Sequence, residues 1–497
     1  MKKLICIIII SAMLISLISC SSNSAVDTDD SSENEAELLE AETETTEPVE
    51  VQIEPDLPER DFGGYEFKII TSDYVTDNNM VQEIWAEEEN GDSINDAIYA
   101  RNRKIEEKYN FVVKEILNER DTLNAPVKKA VQSADGSYDL ICGNIRELGI
   151  LSLAGCLIDL TKVNYLDLAK PWYDQKAAGD LSIGNKLFFA VGELQITDNN
   201  GTWAVLFNKK LLKDLGLEDP YQLVREGNWT IDKFFELASA ANKDLNGDGK
   251  MDEEDQWGTL GESFNVYALM NGSGTRLVQK DENDLPYYAG YTERDIDIFD
   301  KCAEYLGDKE KSLLADNYTS KYTNVWNELI NPIFATDRIL FFFTSLSRVT
   351  WHRSSETEFG ILPTPKYEKA QPDYVNTVSV WMASGMGMPV TLAGDDLDRT
   401  AIIAEALTAE SMYTLTPAYY EVQLKTKLTR DEESEQMLDL IFANRTYSLP
   451  QLYDWGGMLS TISGLLTANK RDFVSSMEKI EARIVKDIEK TIDTYGD

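Results

Sequence analysis

Strand-like and helix-like segments alternate where the folded part of this chain begins, and that rhythm narrows the fold more than any other feature. Tyr65-Glu66-Phe67-Lys68-Ile69-Ile70-Thr71 reads as a strand, and Ile94, Ile98, Ile105 and Tyr109 fall on one face of a helix. Phe111-Val112-Val113 reads as a second strand, the segment from Val127 to Ala134 as a second helix, and Tyr138-Asp139-Leu140-Ile141-Cys142 as a third strand. Such alternation predicts right-handed crossovers and a mostly parallel sheet, an α/β fold. Ligands of such sheets bind beyond the carboxyl ends of strands. Here those ends are the stretch from Ser72 to Asn79 and the loop Gly143-Asn144-Ile145-Arg146-Glu147. The ~435 residues beyond the N-terminal segments exceed what one core usually supports, so two lobes are expected.

The N-terminus has a separate character. Lys2 and Lys3 precede an apolar stretch from Leu4 to Ile18 that ends in Leu17-Ile18-Ser19-Cys20. The apolar run is shorter than the ~20 residues of a membrane-spanning helix. Its basic front and small-residue exit are those of a cleaved peptide. Residues 1–19 are therefore expected to be a lipoprotein signal peptide. Cys20 would carry the lipid, anchoring the chain to the cell membrane on its extracellular face. Residues 20–60 are rich in Ser, Asp, Glu and Thr, with Glu33, Glu35, Glu37, Glu40, Glu42, Glu44 and Glu47 among few apolar residues. Such a segment buries too little apolar surface to offset its ordering entropy, so a disordered acidic tether is expected. Its r.m.s. span would be about 35 Å.

Charge and residue usage remove whole classes of function. A formal net charge of −40 repels phosphate backbones, so nucleic acid is not an expected partner, and membrane contact is expected through the lipid alone. His352 is the only histidine. That removes the commonest general base, the usual zinc ligand sets and the His-based triads, and His352 itself reads as a surface or packing residue. Carboxylates are abundant enough for a two-carboxylate glycosidase, although no pair stands out. Cys142 and Cys156 could pair, or Cys142 could be a small hydrophobe in an apolar strand.

Further along, Leu187-Phe188-Phe189-Ala190-Val191-Gly192 is followed by Trp203-Ala204-Val205-Leu206-Phe207-Asn208-Lys209-Lys210-Leu211-Leu212. Then come Leu215-Gly216-Leu217 with Pro220, and Asn228-Trp229-Thr230-Ile231-Asp232-Lys233-Phe234, where Thr230 suits a helix N-cap. Phe359-Gly360-Ile361-Leu362-Pro363-Thr364-Pro365-Lys366 and the small-residue stretch Met382 to Val390, before a helix starting near Asp396, complete the series. In order and spacing these segments resemble family 1 extracellular solute-binding proteins, the capture subunits of ATP-driven sugar importers. The resemblance runs from about Asp61 to the C-terminus. It implies a two-lobed, periplasmic-binding-protein-like (venus-flytrap) fold, each lobe a mixed, mostly parallel sheet flanked by helices. It places 61–195 and 338–389 in the N-terminal lobe and 196–337 and 390–497 in the C-terminal lobe. The crossings would lie near Gln195–Asn200, Thr336–Arg338 and Val390–Asp395, with Thr197-Asp198-Asn199-Asn200 as hinge or loop.

The resemblance also implies ligand contacts. Glu262-Ser263-Phe264-Asn265 stands where the family's second lobe supplies a polar or acidic residue and an aromatic. Thr344-Ser345-Leu346-Ser347-Arg348 follows the second crossing strand, where relatives often carry a tryptophan; Trp326 and Trp351 are near in sequence but not aligned with it. Tyr453-Asp454-Trp455-Gly456-Gly457 matches the position of a stacking tryptophan. With strand-end and aromatic residues suited to sugar faces and edges, the candidate ligand set is Asn144, Arg146, Trp203, Glu262, Phe264, Asn265, Ser345, Arg348, Trp381 and Trp455. Each has a plainer alternative. The tryptophans could be core, Arg146 and Arg348 surface ion pairs, and Asn144 and Asn265 turn residues.

One motif has metal-ligand spacing. Asp244, Asn246, Asp248, Asp252 and Asp255 occupy positions one, three, five, nine and twelve of an EF-hand-like loop. Gly249 stands at the turn, and Lys250 supplies a backbone carbonyl at position seven. Asp255 has a shorter arm than the usual Glu, with Glu254 as an alternative. The loop is expected to hold a structural calcium, the alternative being an Asx-rich turn without metal. Three functional readings follow. The first is a lipid-anchored, monomeric, non-enzymatic protein that captures a sugar or oligosaccharide for an ABC-importer permease. The second is a surface-tethered carbohydrate-active enzyme, and the third a ligand sensor without transport.

Overall fold

The computed structural model describes residues 52–73, 83–352, 355–420 and 432–496. The signal peptide, Cys20 and most of the tether lie outside the described residues, as does most of the stretch from Ser72 to Asn79. No helix among the described residues is long and apolar enough to cross a membrane. Among the described residues, nine strands build the two larger sheets: β1 (Tyr65–Ser72), β2 (Phe111–Asn118), β3 (Leu140–Asn144), β4 (Trp203–Asn208), β5 (Trp257–Gly261), β6 (Leu313–Leu314), β7 (Ile339–Ser345), β8 (Phe359–Leu362) and β9 (Ser384–Gly387).

The first sheet has the order β9-β3-β1-β2. β1 runs parallel to β2 from Tyr65↔Phe111 to Ser72↔Asn118 and parallel to β3 at Ile69↔Leu140, while β9 lies antiparallel to β3. The expected β-α-β-α-β start is therefore present. The first helix spans Ser93–Tyr109, with the Asp92 side chain capping it and Ile94, Ile98, Ile105 and Tyr109 buried. The second spans Asn124–Ser133. β2 and β3 run past their expected ends to Asn118 and Asn144.

The second sheet has the order β8-β4-β7-β5-β6, with β5 parallel to β6 and β7, and β4 antiparallel to β7 and β8. Every residue of β4, β5, β7 and β8 is buried, and their near-continuous apolar runs are those of strands covered on both faces. Thr230 caps the helix Ile231–Ala241, accepting from the Lys233 amide at 3.3 Å. The chain thus has the two-lobed α/β architecture expected, with one mixed sheet at the centre of each lobe.

The allocation of segments needs correction. Within 338–389, β7 and β8 pair in the second sheet beside β4, and only β9 joins the first. No crossing occurs at Thr336–Arg338. The chain returns to the first sheet through Asn376–Ala383, where Ser379 donates to the Gly201 carbonyl at 2.9 Å and Thr202 bridges Val378. The helix Asp395–Ser411, placed with 390–497 in the C-terminal lobe, instead packs on Ser93–Tyr109 beside the first sheet. Its Glu405 accepts from Trp172 Nε1 at 3.1 Å and Tyr173 Oη at 2.6 Å, and its Arg399 stacks 3.7 Å from the Tyr65 ring centroid. The apolar face of Ser93–Tyr109 needs a cover, and this helix supplies it.

Thr197-Asp198-Asn199-Asn200 forms a single buried helical turn at the outward crossing. The carboxylate of Glu83 caps it, accepting from the amides of Ile196 and Thr197 at 2.6 and 2.7 Å and from Thr197 Oγ1 at 3.1 Å. Arg445 reaches Asp198 at 2.8 Å, Asn199 at 2.7 Å and Asp174 at 2.7 Å. Its own strand residues pair with Asn376–Thr377, at the start of the return crossing. Cys142, Cys156 and Cys302 are buried free thiols, so the Cys142–Cys156 pairing is not made. His352 is the packing residue expected, set among Phe334, Phe342 and Phe359, and burial pushes its pKa down to about 3.

Removing one partner of a buried ion pair strands the others without compensation. Arg445→Ala should cost about 3 kcal/mol of stability, read as a lowered urea midpoint at unchanged m-value.

Candidate functional site

The parallel strands of both sheets end toward one cavity of about 310 Å³. β5 ends at Gly261 and delivers Glu262 and Phe264. β7 ends at Ser345 and delivers Arg348 from the short helix Ser347–His352. β4, antiparallel to β7, starts at the same end with Trp203 paired to Ser345. From the first sheet, β2 leads into Arg120, and Ser379, Trp381 and Met382 precede β9. A cleft of about 270 Å³ adjoins it, sharing Phe264 and Trp381 and adding Arg146, Tyr453 and Ser460.

Aromatic rings set the shape. Phe264 meets Trp381 edge-on at 4.9 Å and 86°, and Trp203 tilts against it at 6.5 Å. Trp203 in turn meets Phe343 at 5.8 Å. Two guanidinium groups lie over indole rings, Arg348 over Trp326 at 5.2 Å and Arg146 over Trp381 at 5.9 Å. Ring faces beside donors, acceptors and charges can hold a flat polyhydroxylated ligand through its apolar face and polar edge.

Glu262 is the carboxylate of the cavity. Burial pushes its pKa up to about 7, the nearby Asp316 adds to the rise, and Arg348 opposes it. Asn265 accepts from the Glu262 amide at 2.7 Å and Asp316 accepts from the Ser263 amide at 2.7 Å, so the turn presenting Glu262 is fixed from behind. Arg348 has its pKa lowered to about 10 by burial, and no carboxylate among the described residues lies within 4 Å of it.

Of the ten candidate ligand residues, Trp203, Glu262, Phe264, Ser345, Arg348 and Trp381 line this cavity, and Arg146 borders it. Asn265 stands behind it as a support for Glu262. Asn144 is corrected: it caps the helix Ile145–Leu153 by accepting from the Glu147 amide at 2.9 Å, and it is buried. Trp455 is corrected as well. It is 2% exposed, stacks on Tyr453 and donates to Thr491 Oγ1 at 2.8 Å, because the helix Phe473–Gly496 lies across it. Arg120, Trp326 and Ser379 are additions. Arg120 lies past a strand that extends farther than Phe111-Val112-Val113, and Trp326 enters from the helical turn Trp326–Ile330 that precedes β7, not from the segment that follows it.

In the EF-hand-like loop, Asp244 accepts from the amides of Gly247 and Gly249 at 2.6 and 2.8 Å, Asn246 from Asp248, and Asp248 from Lys250. Gly247 and Gly249 take positive φ. Asp255 is buried and accepts from Leu245 and Asp252, closing the loop at its base. Among the described residues no group of three or more His, Cys, Asp or Glu side chains is gathered closely enough to hold a metal.

No protein-family model matches the chain, and no curated protein matches its sequence. Solved structures match its fold. An ABC substrate-binding protein from Listeria monocytogenes in complex with cycloalternan has 12% identity, covers 86% of this chain and 99% of its own, and gives a TM-score of 0.56. A cyclo/maltodextrin-binding protein complexed with maltotetraose has 14% identity, 87% and 98% coverage and a TM-score of 0.56. The maltose-binding periplasmic protein from Listeria monocytogenes in complex with maltose has 12% identity, 86% and 98% coverage and a TM-score of 0.55.

A carboxyl pKa raised on folding gives stability that is complete below the unfolded value and lost as pH climbs through the folded value. Glu262 should therefore weaken the fold as pH rises from 5 to 8, with Asp316 and Arg348 the charges that face it. Glu262→Gln should gain thermal stability relative to the unmodified protein over that interval, measured by melting both at each pH. These structures share one architecture with this chain, the two-lobed fold of solute-binding proteins.

Proposed function

We propose that this protein is an extracellular solute-binding protein that captures a sugar or oligosaccharide between its lobes and delivers it to an ABC-importer permease. The observation that carries this reading is the aromatic-lined cavity at the strand ends of both sheets, formed by Trp203, Phe264, Trp326 and Trp381 around Glu262 and Arg348. The bound saccharides of the structures sharing the fold point the same way. The lobes open and close about the crossings at 196–202 and 376–383. A ligand that touches both lobes favours the closed form by its differential affinity for it. Binding needs no nucleophile or general base, and the protein acts on its ligand without chemistry. A lipid on Cys20, with the acidic segment to residue 60 as spacer, would hold it at the outer face of the membrane as a monomer.

The test is thermal unfolding and calorimetry with a panel of mono- and oligosaccharides. A ligand present at about 100 times its Kd adds about 2.7 kcal/mol, so one saccharide class should raise the melting temperature and remain unhydrolysed. Trp381→Ala should weaken its binding tenfold or more, about 1.4 kcal/mol. Consumption of the saccharide would favour the enzyme reading instead.

The proposal includes a structural calcium on the loop 244–255. It is supported by the EF-hand order of oxygen-bearing residues, Asp244, Asn246, Asp248, Asp252 and Asp255 with the Lys250 carbonyl, and by the turns at Gly247 and Gly249. The side chains would have to converge from their positions in the Asx turns. Millimolar calcium should raise the melting temperature by several degrees and EGTA should reverse it, with no dependence on saccharide.

A further inference from the structure

The cavity holds a cation that the hydroxyls of a neutral sugar can hydrogen-bond but cannot neutralise. Arg348 comes from the helix after β7 and its guanidinium has two neighbours of note, the face of Trp326 at 5.2 Å and Arg120 from the opposite sheet. Arg120 pairs with Asp121 at 3.5 Å. Arg348 has no such partner: among the described residues no side-chain oxygen accepts from it, and its Nε is buried without one. The cavity's own carboxylate, Glu262, is near enough to interact across space but not within 4 Å, and it too has no side-chain hydrogen bond among the described residues. Trp203 Nε1 is a second buried donor without an acceptor.

A chain with 87 acidic residues against 47 basic ones could have neutralised a half-buried arginine at little cost in sequence. A half-buried guanidinium whose Nε is buried without an acceptor is costly, and the cost is recovered when an acceptor arrives. Planar carboxylate is the acceptor that a guanidinium fork fits best. The aromatic walls require that this carboxylate be carried on a ring with an apolar face. Arg146, stacked on Trp381 at the rim, extends the cationic track into the adjoining cleft, so a second acidic unit can be met there.

We propose that the ligand is an acidic saccharide, an oligomer containing uronic acid residues, with one carboxylate held by Arg348 between Trp326 and Trp203 and with ring hydroxyls donating to Glu262. This rests on the saccharide reading above and narrows it to one chemical class.

The experiment is calorimetric titration of the full chain with oligomers of glucuronate, galacturonate and mannuronate. Beside them run the methyl esters of the galacturonate series and neutral oligomers of glucose, galactose and mannose. At least one uronate series should bind tenfold or more tightly than every neutral oligomer of equal length, and methyl esterification should remove that advantage. Arg348→Gln should abolish the preference, while Arg348→Lys should keep part of it; the wild-type panel decides the question even if neither variant folds. A neutral oligomer that binds as tightly as any uronate overturns the proposal and leaves the saccharide reading intact. Absence of binding by every saccharide overturns both.

Discussion

The Arg445 guanidinium is the contact on which the placement of the cavity depends. It binds Asp198 and Asn199 on the outward crossing and Asp174 beside the first sheet, and its backbone neighbours pair with Asn376–Thr377 at the start of the return crossing. Trp203 begins just beyond the first of these segments and Trp381 just beyond the second. The distance between the two indoles is therefore set by how the crossings lie side by side, joined by Ser379 to Gly201. Gly201 contributes to that closeness. A Cβ there would stand 3.1 Å from the Ala383 nitrogen and 3.2 Å from Met382 Cβ. Two carboxylates and one cation, all mostly buried, tie segments that an apolar contact would leave free to slide, because charge-assisted bonds are directional.

Electrostatics at the cavity runs against the electrostatics of the whole chain. A net charge of −40 produces a negative surface potential that keeps such a protein soluble and lowers the local concentration of anions. That field is screened within about 8 Å at physiological ionic strength. Inside a cavity walled by four aromatic rings, the effective dielectric is lower and neighbouring guanidinium groups dominate. Overall acidity thus repels polyanions as large as nucleic acid, whose charge meets the whole surface, while leaving a pocket-sized anion subject to Arg348 and Arg120.

Local signals made much of this fold legible. The β-α-β-α-β opening and the Thr230 cap follow from periodicity and capping chemistry, which act over a few residues, whereas the strands at Trp203 and Phe359 and the helix near Asp396 were expected from the family resemblance. What was not legible depended on partners distant in sequence. The assignment of β7 to a sheet turns on whether it pairs with β3 or β4, and both would cover a mostly apolar strand equally well. The helix Asp395–Ser411 has buried residues on most of its faces, so its sequence does not say which sheet it covers. Trp455 illustrates the same limit. The resemblance matched it to a stacking tryptophan, yet Thr491, far along the chain, holds its indole and the helix Phe473–Gly496 shields it. Of the six cavity residues identified, Glu262, Phe264, Ser345 and Arg348 came from the resemblance and Trp203 and Trp381 from being aromatic at strand starts, and the structure sets all six at strand ends that converge.

Glu262 and Arg348 show what the fold does with opposite charges that it could have joined. Asn265 and Asp316 fix the turn of the first, and Trp326 holds the second by its ring face. Both charges line the same cavity, and no ion pair closes between them. A salt bridge between them would satisfy both groups and fill the cavity with protein, leaving a ligand nothing to gain. Held apart, they place an acceptor and a donor on elements that follow β5 and β7, while Arg120 and Trp381 approach from the other sheet. A ligand that bridges these groups contributes bonds that exist only when both sheets are in reach. That is the differential affinity a two-lobed protein needs if binding is to shift it toward the closed form.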